Sequence, residues 1–173
     1  MDTRRFAMNY GGVLGLCLVL VALCFWILGI DEKQSVIPSI LNNVVIIGFL
    51  VYSISYYRDN LRNGFISYSE SLKLGTSVAF FSSVIMAFYT FIYITYLNPD
   101  MLAEVLKMTE QSLLQSNPDI SDEELDLALE MTGKVTQPHW LMILGVLSGT
   151  FMGFFYSAII SFFVKRTDSN TIV

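Results

Sequence analysis

The chain has 173 residues, of which 54% are hydrophobic and 14% are charged, and its formal net charge at pH 7 is −5. A water-soluble domain carries about 25% charged residues, and even its buried helices keep a polar face toward water. Here every Asp, Glu, Lys and Arg lies outside four stretches, 10–30, 37–57, 74–97 and 140–164. This pattern excludes an ordinary soluble domain. The net negative charge also does not suit binding to nucleic-acid phosphates.

The four uncharged stretches have the length of membrane-spanning helices. The shortest holds 21 residues, which cover about 31 Å as an α-helix, the thickness of the hydrocarbon core. Residues 13–28 are apolar on every side, whereas the strands of a membrane β-barrel alternate apolar and polar residues. The first stretch follows Arg4 and Arg5 but lacks the cleavage pattern of a signal peptide, so we expect it to stay uncleaved. The predicted fold class is all-α, an integral membrane four-helix bundle.

The distribution of Lys and Arg predicts the orientation of the bundle, because cytoplasmic connections carry more of them. Seven lie at the N-terminus, in the second connection and after the fourth span: Arg4, Arg5, Arg58, Arg62, Lys73, Lys165 and Arg166. Three lie in the other connections: Lys33, Lys107 and Lys134. Both termini are therefore expected in the cytoplasm.

Residues 98–139, between the third and fourth spans, form the one sizeable segment expected outside the bilayer. They hold nine acidic residues against two lysines. A structureless loop of this length would be unusual, and apolar residues at helical spacing favour two helices. Asn98 and Pro99 are placed to begin the first as its N-cap and first residue. The segment is thus predicted to be an acidic, extracytoplasmic helical hairpin.

The second helix of this hairpin has clear start and stop signals. Ser121 followed by Glu124 matches a capping box, and Gly133 is placed to end the helix. The apolar stripe predicted on the two helices consists of Leu102, Val105, Leu106, Leu125 and Leu129. Such a stripe has to be covered by the other helix, by the bilayer surface or by another protein. It is the candidate contact site for a membrane or periplasmic protein partner.

The acidic residues of the hairpin also raise the possibility of a metal site, since hard cations prefer carboxylate oxygens. An EF-hand loop needs a glycine among its ligands, and none occurs between Asp119 and Glu130. Asp122, Asp126 and Glu130 instead follow one another at intervals of four along one helix face. We interpret them as a solvated face, with no metal site.

Small residues recur every four positions along two of the spans. The fourth span carries Gly145, Gly149, Gly153, Ser157 and Ser161, and the third carries Gly75, Ala79, Ser83 and Ala87. The first span adds Gly11 and Gly15. In lipid, helices associate through close backbone approach over small side chains. We expect these positions to pack the third and fourth helices together within one chain, and homo-oligomerisation is the alternative.

Residues that could carry chemistry are few. The spans hold no Asp, Glu, Lys, Arg or His, and such groups mark proton relays and ion-coupled carriers. Asn42 and Asn43 could line a solute site, but hydrogen bonds between helices explain them as well. Cys17 and Cys24 are expected to pack as small apolar side chains, and His139 to lie solvated at an interface. No HExxH, GxSxG or glycine-rich phosphate motif is present, so we expect neither an enzyme nor a cofactor.

The second connection carries a pattern that points to a family. Residues 64–75 read Gly-Phe-Ile-Ser-Tyr-x-x-x-Leu-Lys-x-Gly. This motif is followed by an aliphatic and aromatic third span, an acidic helical insert and a glycine-rich last span. The whole resembles a family of small four-span bacterial inner-membrane proteins known only as a domain of unknown function. The resemblance implies this architecture and the bacterial cytoplasmic membrane, and the family has no established activity or catalytic residues to carry over.

Together these features lead us to expect a non-catalytic interaction or accessory subunit that uses its external hairpin. The surface around Arg58 to Lys73 is a second candidate contact. The alternative is a small oligomeric transporter or channel for an uncharged or small solute, suggested by the small residues and the neutral polar ones.

Overall fold

The computed structural model describes residues 2–30 and 36–166; Lys33 lies outside them. Within this part of the chain the secondary structure is helical without any strand, which confirms the all-α class. The elements are α1 (Thr3–Ile27), α2 (Ile37–Leu61), α3 (Tyr68–Ile92), a π-helical segment (Tyr93–Leu97), α4 (Met101–Ser116), α5 (Asp122–Val135) and α6 (Pro138–Val164).

Four of these helices are long and apolar enough to cross a membrane: α1, α2, α3 with its π-helical extension, and α6. Many of their large apolar side chains are exposed, for example Leu16 at 58%, Phe151 at 61% and Phe163 at 79%. In water such a surface would be strongly unfavourable, whereas in a bilayer it is covered by acyl chains. The chain is a multi-pass membrane protein.

The first compact unit comprises Met1–Met86 and Val146–Val173 and contains the main core. Two glycines of α1 allow this helix to pack closely against α3. A Cβ at Gly11 would lie 2.6 Å from Phe81 Cβ, and one at Gly15 would lie 2.8 Å from Ile85 Cβ. The helices touch there through their backbones because neither glycine has a side chain to hold them apart.

One end of this unit, where α2 turns into α3, is tied to the end of α6. Gly64 has a φ of +86°, which lets the chain turn back sharply after α2. The buried Ile66 then exchanges two backbone hydrogen bonds of 3.0 Å with Arg166. Arg58 Nη1 donates to the Val164 carbonyl at 3.0 Å, so the last turn of α6 is capped from α2.

The second compact unit comprises Ala87–Gly145. Its two short helices, α4 and α5, pack against each other as a hairpin. The expected start at Asn98 and Pro99 was wrong: α4 begins at Met101, after Asp100, because a π-helical segment carries the preceding helix to Leu97. Gly133 does not end α5 either, since the helix continues through it to Val135.

Candidate functional site

The small residues of α3 and α6 meet along an antiparallel contact in the first unit, which we call the small-residue interface. Three pairs face each other across it: Gly75 with Ser157, Ala79 with Gly153, and Ser83 with Gly149. A Cβ at Gly149 would lie 2.7 Å from Ser83 Cβ, and one at Gly153 would overlap Ala79 Cβ. Any larger side chain at these positions would therefore force the two helices apart.

The remaining predicted packing residues lie at the ends of this series. In the second unit Ala87 is buried, whereas a Cβ at Gly145 would meet no atom within 4 Å. In the first unit Ser161 is fully buried, as is Ser71, a further small residue in the same four-residue series of α3. Sequence reasoning missed Ser71 because it sits beside charged residues, although its spacing from Gly75 was a sufficient signal.

Polar side chains inside the spans form short hydrogen-bonded groups. Ser83 Oγ donates to Phe80 O at 2.8 Å and lies 3.3 Å from Thr150 Oγ1, so it joins α3 to α6. Tyr156 OH donates to Asn43 Oδ1 and joins α6 to α2. Asn42 Oδ1 is buried and has no hydrogen-bond partner within the described residues. Asn43 therefore forms a hydrogen bond between two helices, whereas the side-chain oxygen of Asn42 could still accept a hydrogen bond from a donor outside the described residues.

The hairpin owes its shape to local signals. Ser121 Oγ accepts from the backbone N–H of Glu124, and the Glu124 carboxylate accepts from the backbone N–H of Ser121, so the predicted capping box is confirmed. Lys134 Nζ lies 2.7 Å from Glu130 Oε1, one helical turn earlier. The hydrogen bond and the positive charge of Lys134 lower the pKa of Glu130.

The apolar stripe predicted on the hairpin lies along the contact between its two helices. Its five members are all half-buried: Leu102, Val105, Leu106, Leu125 and Leu129. A Cβ on Gly133 of α5 would lie 3.9 Å from Leu106 Cδ2 of α4, an ordinary van der Waals contact. Much of this stripe is therefore covered by the partner helix of the same hairpin.

A second apolar face of α5, which sequence reasoning missed, stays open. Leu127, Met131 and Val135 are 58%, 60% and 51% exposed and recur every four residues along one side of the helix. We call these three residues the apolar ridge. The acidic residues Asp126 and Glu130 lie on the other exposed side of α5, by helical periodicity. The four-residue spacing of the ridge is visible in the sequence, beside that of the apolar stripe.

The described residues contain no group of three or more His, Cys, Asp or Glu side chains that could hold a metal ion. Cys17 and Cys24 are free thiols on α1. The ring of His139 lies 5.8 Å from that of its neighbour Trp140, between centroids, on an exposed turn at the start of α6.

Comparison with known proteins gives one match. A family model described as "Protein of unknown function (DUF4199)" matches residues 9–166, most of the chain. No curated protein and no solved structure matches the chain.

Proposed function

We propose that this chain, which belongs to the DUF4199 family of proteins of unknown function, acts without catalysis as an accessory subunit that binds another protein through its hairpin. The observation that supports this most directly is the apolar ridge. Three large apolar side chains, each at least half exposed, follow one another on a helix whose other exposed side is acidic. A helix with two such faces fits a partner that offers an apolar groove beside basic groups.

The charge of the hairpin narrows the class of partner. Nine acidic residues against two lysines give residues 98–139 a net charge of −7. Such a surface attracts a basic partner and repels an acidic one, which sets the rate of encounter more than the final affinity. The accessory role therefore predicts that binding weakens as salt concentration rises.

The proposal places the hairpin outside the cytoplasm of a bacterial inner membrane, with both termini inside. The support is the excess of Lys and Arg in the connections on the opposite side. A reporter that works only outside the cytoplasm should be active when fused at Ser116 and inactive when fused after Lys165. The reverse result would overturn this orientation.

A photo-cross-linking amino acid placed at Met131 tests the partner. We expect one defined cross-linked protein, identified by mass spectrometry, from full-length chain in intact cells. Asp126, on the acidic side of the same helix, is the matched control position and should give far less of that product. Cross-links from Met131 to lipid alone, or equal products from both positions, would contradict the accessory role.

A small oligomeric transporter or channel for an uncharged solute is the second candidate. It is favoured by the buried Asn42 Oδ1 without a partner in the described residues and by the Asn43–Tyr156 bond beside it. The mass of the protein in mild detergent separates the two proposals. A pore needs several copies, because the small-residue interface leaves no room between α3 and α6.

A further inference from the structure

A groove of about 640 Å³ opens on the first unit between α1, α3 and α6. Six residues of α3 line it, together with Arg4 of α1 and with Thr150 and Phe154 of α6. In the same unit, glycines of α1 and α6 pack closely against α3. The proposed function does not use this groove.

The two charged residues of the groove are cations without an ion-pair partner. In the described part of the chain, neither Arg4 nor Lys73 makes a salt bridge, and both are exposed. Of the carboxylates at this end, Asp59 pairs with Arg58 and Glu70 pairs with Arg62, whereas Asp2 accepts a hydrogen bond of 3.3 Å from the backbone N–H of Arg4. Two cationic side chains therefore border one groove, and neither forms a salt bridge with a carboxylate of the described residues, which favours an anionic ligand.

Away from Arg4 and Lys73 the groove is lined by aromatic rings and by hydroxyls that already donate hydrogen bonds. Phe80 and Phe154, each about two-fifths exposed, line it. Its hydroxyls donate to carbonyls of their own helices: Thr76 to Leu72 at 2.8 Å, Ser77 to Lys73 at 2.7 Å, and Thr150 to Val146 at 2.6 Å. A sugar or other polar solute would lose hydrogen bonds to water there without replacing them.

The groove thus has one charged end and one apolar end. Lys73 and Phe81, which both line it, are eight residues apart on α3, a distance of about 12 Å along the helix axis. We propose that the groove binds an anionic glycerophospholipid, with the phosphate between Arg4 and Lys73 and the first part of an acyl chain along Phe80 and Phe154. Basic pockets between transmembrane helices bind lipid head groups in this manner.

The test measures lipid bound to the full-length protein in mild detergent, by native mass spectrometry, with phosphatidylglycerol, phosphatidylcholine and inorganic phosphate as separate probes. The double variant R4Q/K73Q removes the cations of the groove. The matched control R5Q/K165Q removes two cations that lie outside the groove. We expect phosphatidylglycerol to bind the wild type and the control alike, and to bind R4Q/K73Q about 25-fold more weakly, about fivefold for each charge.

A third variant, S77W, keeps both cations and fills the apolar part of the groove. It should lose phosphatidylglycerol, which would show that the acyl chain contributes to binding. Equal losses in R4Q/K73Q and R5Q/K165Q would mean unspecific surface charge and would overturn the proposal. The proposal is equally wrong if phosphatidylcholine binds as tightly as phosphatidylglycerol, or if inorganic phosphate displaces the lipid at matching concentration.

Discussion

Replacing Gly153 by alanine adds one methyl group at the closest point of the small-residue interface. That methyl would overlap Ala79 Cβ, a backbone-attached atom that cannot swing aside. Carbon atoms in contact lie about 3.5–4.0 Å apart, so α3 and α6 have to separate by about 1.5 Å at this point. The neighbouring pair Ser83 and Gly149 would lose contact as well, because a gap of 0.5–1 Å already removes about a quarter to a half of the dispersion energy.

Overpacking of this kind costs about 1–3 kcal/mol, and we expect about 2 kcal/mol for G153A, or roughly 30-fold in the equilibrium constant of unfolding. The companion change A79G should restore most of this loss. Without the Ala79 methyl, the nearest atom to the new Cβ is Ala79 Cα at 3.5 Å, an ordinary contact. G48A is the matched control, because a Cβ at Gly48 meets nothing within 4 Å.

Reversible unfolding in mixed micelles, by titration with sodium dodecyl sulfate and detection of helicity, measures these differences. The order of stability should be wild type and G48A, then G153A/A79G, then G153A. The reasoning about close backbone contact is refuted if G153A is as stable as G48A, or if A79G makes G153A less stable still.

The other predictions concern single contacts. G11A should destabilise the bundle by about 1–3 kcal/mol in the same titration, while G12A, whose Cβ meets its nearest atom at 4.0 Å, should leave it unchanged. R58Q removes the donor that caps the end of α6 and should raise the rate of trypsin cleavage there about fivefold, matching a bond worth about 1 kcal/mol. Carboxyl resonances should show Glu130 titrating below the ordinary glutamate value, and closer to it in K134Q. Because the folded pKa is lowered, the ion pair stabilises α5 above the ordinary pKa, and this stabilisation is lost as pH falls through the lowered pKa.

Three results would contradict these expectations separately. Equal stability of G11A and G12A would contradict the close backbone contact between α1 and α3. An unchanged cleavage rate in R58Q would mean that water caps α6 equally well. A Glu130 titration that is the same with and without Lys134 would mean that the ion pair is not populated in solution.

The membrane-spanning helices were predictable because a charge inside the hydrocarbon core is strongly unfavourable, so its absence over 21 residues is informative. The same rule does not locate the helix ends. Arg4 and Arg5 lie within α1, and Arg58 lies within α2, because each helix continues past the hydrocarbon core into the head-group region, where charge is solvated. The absence of charge shows which residues lie in the hydrocarbon core, whereas the backbone hydrogen bonds determine where the helix begins and ends.

The start of α5 could also be predicted, because it depends on local signals. The sequence did not show which of the two apolar faces of α5 packs against α4. The capping box at Ser121 needs only residues within one turn, and it formed. Periodicity gave α5 two apolar series, one through Leu125 and Leu129 and one through Leu127 and Met131. Which of them meets α4 depends on the rotation of both helices about their axes, and the sequence of one helix does not contain that angle.

The lipid groove could not have been predicted from the sequence. Arg4 and Lys73 are 69 positions apart, and each alone looks like one more cation on the positive side of a membrane protein. Their common role emerges only when Gly11 and Gly15 bring α1 onto α3. The π-helical segment at Tyr93–Leu97 was likewise invisible, because a single inserted residue hardly changes the apolar periodicity of a span.

The backbone pairing of Ile66 with Arg166 has a consequence for the order in which the chain assembles. Ile66 is made about 100 residues before Arg166, so its N–H and C=O stay without these partners while the hairpin and α6 are synthesised. Arg58 is likewise synthesised long before Val164, whose carbonyl accepts its hydrogen bond. The turn after α2 is held by its own backbone bonds from Gly64 N–H to Arg58 and from Phe65 N–H to Arg62, but its link to α6 can form only when the fourth span is in place. A chain stopped before that point leaves the N–H and C=O of Ile66 open to proteases and chaperones at the membrane surface.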